Sequence, residues 1–150
     1  MGNAHKLSLA VQYASTAHNL PTRAQLRRWA RAALLHDVQL ALRIVDEEEG
    51  RALNRNYRGK DYATNVLTFT YDEMSLPLYG DVVLCVPVVE REAREQRKEL
   101  QAHYAHLVVH AMLHLQGYEH ENPQEAAEME KLETAILAKL GYADPYAVNS

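Results

Sequence analysis

The sequence predicts an α+β fold, with residues 1–150 forming one domain in which helices cover a four-stranded mixed sheet. Its length is sufficient for a core that stands without disulfides. Apolar residues recur with period two mainly in the first half and with helical spacing mainly in the second half. Strand and helix patterns alternate only in the first part of the chain, which indicates a mixed sheet.

Four segments have the alternation or the apolar, β-branched composition of strands. The last two are separated by a predicted loop at residues 72–79. In chain order the strands are KLSLAVQY (6–13), VQLALRIV (38–45), NVLTFTY (65–71) and GDVVLCV (80–86).

Helical patterns fill the remaining segments. Thr22 is expected to cap the first helix, whose apolar positions fall on one face. An apolar segment over 102–116 predicts a central, buried helix. Asn122 and Pro123 suit the start of a last helix, which Gly141 would close. The predicted helices follow Thr22, span about 47–56, run from Pro87 to about 100, cover 102–116 and follow Asn122.

Composition and charge argue against several classes of protein. The formal net charge of −4 argues against nonspecific coating of nucleic acid, although basic residues cluster at 23–31, 51–60 and 91–98. The first and last clusters are interpreted as solvated helix faces. Cys85 is the single cysteine, so neither a disulfide framework nor a thiolate metal cluster is expected. No segment has the length of a membrane span or an export signal, so we expect a cytoplasmic protein without a membrane partner.

Three histidines form the strongest chemical pattern. His110 and His114 are four residues apart and share one helix face, and Gly117 permits a turn that returns His120 towards them. Three neutral imidazoles leave zinc one open position, as in catalytic sites. The sequence therefore predicts one zinc ion, or another divalent transition metal, on these histidines. His106 is eight residues from His114, about 12 Å along a helix, so it is expected beside the ligands.

The same spacing occurs in metzincin peptidases, but Ala111 occupies the position of their glutamate base. A methyl group cannot deprotonate water, so the metal is expected to serve a different reaction. Three alternatives stay open: a metzincin-like metallopeptidase, a non-catalytic metal-stabilised ribosome-binding module, and a hydrolase of small phosphoesters.

The segment HLVVHAMLHLQGYEH (106–120) resembles the signature of the YbeY-type endoribonucleases, bacterial metalloproteins of rRNA maturation. LNRNYRGKDYATNVLTF (53–69), followed by YGDVVL (79–84), resembles the second motif of that family. The resemblance implies an α+β, metal-dependent, single-strand-specific endoribonuclease of rRNA processing and ribosome quality control, usually with zinc. The chain departs from the commonest family residues at Ala63, Asn65, Thr68, Ala111 and Glu119.

The resemblance also implies roles for individual residues. It makes His110, His114 and His120 the metal ligands and places Arg58 at the active cleft. We predict that Arg58 holds the scissile phosphate, because a guanidinium binds phosphate bidentately and stays charged. A surface ion pair between Arg58 and Asp61 or a glutamate is the alternative.

The predicted reaction is metal-activated cleavage of RNA phosphodiesters, with Arg55 and Lys60 guiding the RNA backbone. The expected partners are ribosomal RNA, in particular the 3′ end of 16S rRNA, and the small ribosomal subunit. DNA is not expected to be a partner.

Overall fold

A computed structural model describes residues 4–71 and 75–147 and confirms the predicted α+β class. The strands lie close to their predicted positions, and α2 is two residues longer than expected. Residues 72–74 of the predicted loop lie outside the described residues, and β4 begins before residue 80. The elements are β1 (Leu7–Ala14), α1 (Arg23–Ala32), β2 (Val38–Val45), α2 (Glu47–Arg58), β3 (Val66–Thr70), β4 (Leu78–Cys85), α3 (Val86–Glu95), α4 (Leu100–Leu115) and α5 (Pro123–Lys139).

The four strands form one mixed sheet in the order β1-β2-β4-β3. The pairs β1–β2 and β2–β4 are parallel, while β3 runs antiparallel to β4. Parallel neighbours need a crossover connection, which α1 supplies between β1 and β2. The antiparallel strand β3 lies at one edge of the sheet and is the next element after α2 in the chain.

The two faces of the sheet are covered unequally. Alternate residues such as Leu40, Leu42 and Val82 join the main core beneath α1, α4 and α5. The opposite face supplies Val45 and Val83 to a smaller cluster that includes Leu53 of α2. The predicted central position of α4 is confirmed, because ten of its residues are buried. No helix within the described ranges is long and apolar enough to cross a membrane.

A glycine allows α4 to lie directly on the sheet. A Cβ built on Gly80 of β4 would stand 1.6 Å from Leu115 Cδ1, far inside any allowed contact. The absence of a side chain at Gly80 therefore sets how closely the carboxyl end of α4 approaches β4.

The predicted helix caps are present. Thr22 forms a capping box with Gln25 at the start of α1. The Asn122 side chain accepts a hydrogen bond from the backbone of Glu125 at the start of α5. Gly59, with φ of 70°, ends α2 in the left-handed conformation immediately after Arg58. Local sequence thus fixes where these helices begin and end.

Candidate active site

The three predicted metal ligands converge at the carboxyl end of α4. The side chains of His110 and His114 are 29% and 27% exposed, so both rings reach the surface from a largely buried helix. Gly117, with φ of 109°, makes the turn that returns the chain. The ring of His120 consequently lies 5.6 Å from that of His110 and 6.1 Å from that of His114, measured between centroids.

Hydrogen bonds determine which nitrogen each helical histidine presents. Nδ1 of His110 lies 2.5 Å from a Glu133 carboxylate oxygen, and Nδ1 of His114 lies 3.3 Å from the carbonyl oxygen of Tyr118. Both partners accept, so each Nδ1 carries a hydrogen, and in the neutral ring the lone pair is then on Nε2. Metal-binding histidines are held in this way by a carboxylate or carbonyl behind the ring.

The donor set fits a divalent transition metal. Tetrahedral zinc with Zn–N bonds of about 2.0–2.1 Å would place ring centroids roughly 5 Å apart. The two distances to His120 exceed this by about 1 Å or less. As the side chains stand, no three His, Cys, Asp or Glu within residues 4–71 and 75–147 are arranged to hold an ion. For an ion to be bound, the distances from His120 to both other rings would have to shorten to that spacing.

A buried carboxylate lies behind the histidines. Glu133 of α5 is 0% exposed, and its second oxygen contacts His106 Nε2 at 3.4 Å and the hydroxyl of Tyr146. Burial alone would raise the pKa of Glu133, but hydrogen bonds from His106, His110 and Tyr146 outweigh it and lower the pKa to about 2. Glu133 is therefore a charged acceptor that orients His110. His106 lies beside this acceptor, as its position on the helix predicted.

Sequence reasoning missed Glu133 and Tyr146. Burial and the Glu133 carboxylate raise the pKa of the Tyr146 phenol, which keeps it a hydrogen-bond donor. One sequence signal was available for Glu133: it falls between Met129 and Ile136 on the apolar face of the last helix. A lone carboxylate at a buried helix position indicates a specific partner.

Ala111 follows the first histidine but points into the main core, where it is 0% exposed. A glutamate at this position would have to bury its carboxylate among apolar side chains. The metallopeptidase alternative therefore lacks both the base and the space for it.

Arg58 stands apart from the histidines. It is the exposed last residue of α2, and its neighbour Tyr57 packs edge-on against Phe69 of β3 at 5.2 Å. The helix α4 contacts the same edge strand, whose Val66 belongs to the main core. The helices that carry Arg58 and the histidines thus both contact β3, and no direct hydrogen bond or ion pair joins these side chains in the part of the chain that the structure describes.

Asp61 does not pair with Arg58. Its carboxylate binds the Arg51 guanidinium through two hydrogen bonds of 2.8 and 2.9 Å, and Arg55 approaches it at 3.8 Å. The alternative that made Asp61 the partner of Arg58 is wrong, and among the described residues Arg58 forms no ion pair. Arg55 thus shares the Asp61 carboxylate with Arg51. Lys60 is exposed beyond the end of α2.

The chain is similar to known proteins over most of its length. The family model described as "Endoribonuclease YbeY" matches residues 10–141. A protein of that name from Aromatoleum aromaticum is 64% identical over 145 residues, covering 95% of this chain and 94% of that protein. Its namesake from Nitrosospira multiformis is 58% identical, covering 95% of this chain and 82% of that protein. The solution structure of a Thermotoga maritima protein matches with a TM-score of 0.56 and 25% identity, covering 93% of this chain and 99% of that one.

Proposed function

The chain belongs to the YbeY family of endoribonucleases, hydrolases that act on RNA, and from this premise we propose that it is a metal-dependent, single-strand-specific member. We further propose that it acts in the cytoplasm on ribosomal RNA, at the 3′ end of 16S rRNA in the small ribosomal subunit, in maturation and ribosome quality control. The metal would be one zinc ion or another divalent transition metal.

One observation carries the metal proposal. Behind each helical histidine an oxygen acceptor occupies Nδ1, which leaves the Nε2 atoms of His110 and His114 as donors beside His120. When bound, the ion would lower the pKa of a coordinated water and polarise a phosphoryl oxygen. The protein's part is to orient the rings, and Glu133 does this for His110 by accepting the Nδ1 hydrogen.

Arg58 is the group we propose for holding the scissile phosphate. It has no carboxylate partner among the described residues, so its guanidinium is free to grip a phosphate bidentately. The helix that ends at Arg58 contacts β3 through Tyr57, and α4 contacts the same strand. Arg55 and Lys60 would add positive potential along the approaching strand, with Arg55 weakened by its contact with Asp61.

The partial burial of the two helical histidines supports the proposed single-strand preference. The side chains of His110 and His114 are less than one-third exposed, so a phosphodiester must enter the recess to reach them. A flexible single strand can bend so that one phosphodiester reaches the histidines, whereas the phosphates of a duplex are fixed in position along a rigid double helix.

The decisive experiment compares metal-loaded protein with chelator-treated protein. The substrates are a single-stranded RNA, its duplex, the matching DNA strand and casein. We expect only the single-stranded RNA to be cut, and only by the metal-loaded protein. Products with 5′-phosphate and 3′-hydroxyl ends would indicate water as the nucleophile, and 2′,3′-cyclic phosphates would indicate the ribose hydroxyl. Casein hydrolysis with RNA intact, or cleavage that survives chelation, would contradict the proposal.

The ribosomal part requires its own substrate. Small-subunit particles that carry unprocessed 16S rRNA should be shortened at the 3′ end by the wild-type protein. An Arg58→Ala variant should leave them unprocessed. Cleavage of free RNA without any effect on these particles would remove ribosomal RNA maturation from the proposal and leave the nuclease.

A further inference from the structure

The helix α1 carries an unusual concentration of positive charge. Its ten residues, RAQLRRWARA, include four arginines and no acidic residue. With those four removed from the 16 basic residues, the rest of the chain holds 12 against 20 acidic ones. The charge of α1 is thus opposite in sign to that of the remaining protein. We call its exposed arginines, Arg23, Arg27, Arg28 and Arg31, the α1 arginine face.

Within the described part of the chain, the α1 arginine face has no carboxylate partner. Arginine ion pairs between residues of the ranges 4–71 and 75–147 involve Arg43, Arg51 and Arg55 only. On α3, Arg91 and Arg94 likewise form no ion pair between described residues, but they alternate with three glutamates in VEREARE, so α3 lacks the net positive charge of α1. An arginine cluster that forms no internal pair keeps its donors available for an external anion.

Two of these arginines are held in place by contacts that leave their charge unneutralised. Arg23 lies over the Tyr13 ring at 4.9 Å and donates to the carbonyl oxygen of Val11. Arg28 donates to the carbonyl oxygen of Leu140. The other two, Arg27 and Arg31, are one turn apart on the exposed side of the helix.

The α1 arginine face is rigidly joined to the histidine-bearing helix. The Gln116 side chain donates to the carbonyl oxygen of Ala33 and accepts from the backbone of Leu35 and His36, at 2.7 to 3.0 Å. At the other end, Gln101 donates to Asn19. The two helices therefore run side by side in the same direction. Gln116 immediately precedes the turn that leads to His120, so the carboxyl end of α1 lies at the histidine end of α4.

We propose that the α1 arginine face binds the phosphate backbone of RNA outside the cleavage site. This inference rests on the proposed endoribonuclease function. A predominantly acidic protein repels a polyanion except where positive charge is concentrated, so α1 gives the RNA a second attachment point. Backbone contacts carry no sequence information and serve to position a long substrate, while the histidines and Arg58 act on one phosphodiester.

The test measures how RNA binding depends on salt. The variant Arg27→Gln/Arg31→Gln removes two charges from α1, and the control Arg91→Gln/Arg94→Gln removes two exposed arginines from α3. Both changes keep side chains that favour helices. Metal-free protein is titrated with a long single-stranded RNA at several salt concentrations, and circular dichroism checks each fold. Each lost phosphate contact should reduce the slope of log affinity against log salt by about 0.7.

The α1 variant should therefore lose a slope of about 1.4 and bind more weakly, while the control keeps the wild-type slope. An unchanged slope in the α1 variant would overturn the inference, as would equal losses in both variants, which net charge alone would explain. Loss of binding to polyglutamate with RNA binding intact would assign the face to an acidic protein instead. If the wild-type protein neither binds nor cleaves RNA, the proposed function itself fails. If it cleaves a short oligonucleotide but the α1 slope is unchanged, only this inference fails.

Discussion

Glu133, beside the histidines, and Asp61, beside the end of α2, are two carboxylates with contrasting surroundings. Glu133 is 0% exposed and fixes His110 from behind, together with His106 and Tyr146. Asp61 is 55% exposed and pairs with Arg51 beside the end of α2. The pKa of each is lowered, Glu133 by hydrogen bonds that outweigh its burial and Asp61 chiefly by its hydrogen bond with Arg51.

The difference separates groups that must be held still from groups that must remain free. A buried, fully bonded acceptor permits one orientation of its partner ring, as a metal ligand requires. An exposed ion pair contributes little to stability, and here it leaves the neighbouring Arg58 without an ion pair to any described residue. Substitutions in the histidine region should therefore change metal binding, and those at the end of α2 should change cleavage alone.

The largest expected effect concerns the ligands themselves. His114→Ala should abolish metal binding, because it removes one of the three proposed donors. His106→Ala should keep most of the metal, since His106 contacts Glu133 and Tyr146 instead. Metal content per chain after dialysis measures both. Full retention by the His114 variant would contradict the ligand assignment.

The second prediction tests the free arginine. Arg58→Ala should lower the cleavage rate by about 10²–10³, the usual cost of losing a group that stabilises developing charge. Its unfolding free energy should change by less than about 0.5 kcal/mol. Arg58→Lys should recover only part of the rate, because a point charge does not replace the fork. Arg94→Ala, which removes an exposed arginine from α3, is the control and should cleave normally. Wild-type cleavage by Arg58→Ala would end its assignment to the phosphate.

The third prediction compares the two carboxylates in acid. The folded-state pKa of Glu133 is about 2 against 4.5 for the free group, so its stabilisation is present above pH 4.5 and is lost as pH falls towards 2. Metal-free protein should lose about 3 kcal/mol of unfolding free energy from this group over that interval. Denaturant titrations at each pH measure it. Glu133→Gln should reduce the loss of unfolding free energy between pH 4.5 and pH 2, whereas Asp61→Asn should barely change it. Equal effects of the two substitutions would contradict the proposed difference between the buried and the exposed carboxylate.

The smallest expected effect is on metal affinity. Glu133→Gln keeps the shape of the side chain but removes its charge, so zinc affinity should fall by about 10–100-fold. Competition with a chromogenic chelator measures this affinity, and nitrogen NMR of His110 in metal-free protein reports which ring nitrogen carries hydrogen. Glu130→Gln, in the same recess, is the control. Unchanged affinity together with an unchanged tautomer would show that Glu133 does not position His110.

Local patterns were sufficient to predict most of the fold. Thr22 and Gln25 are three residues apart, so their capping box is visible in sequence, as is the alternation that defines β2. The convergence of the three histidines was equally predictable, because a helix repeat and one glycine turn place them together within eleven residues.

The remainder depended on contacts between distant segments. Glu133 reaches His110 across 23 positions, and sequence alone does not state that α5 lies behind α4. The alternative ion pair between Arg58 and Asp61 could not be excluded from the sequence for a related reason. Several arginines surround that carboxylate, and only the geometry of the turn after α2 selects Arg51 over Arg58.

The close approach at Gly80 also has an evolutionary consequence. Residue 115, which fills the space above it, is the immediate neighbour of His114, so the two positions are not independent sites of variation. A lineage that acquired a methyl group at position 80 would be expected to accept a smaller side chain at position 115 as well. Covariation between position 80 of β4 and position 115 of α4 would then reflect the distance between the sheet and the end of α4 that carries His114.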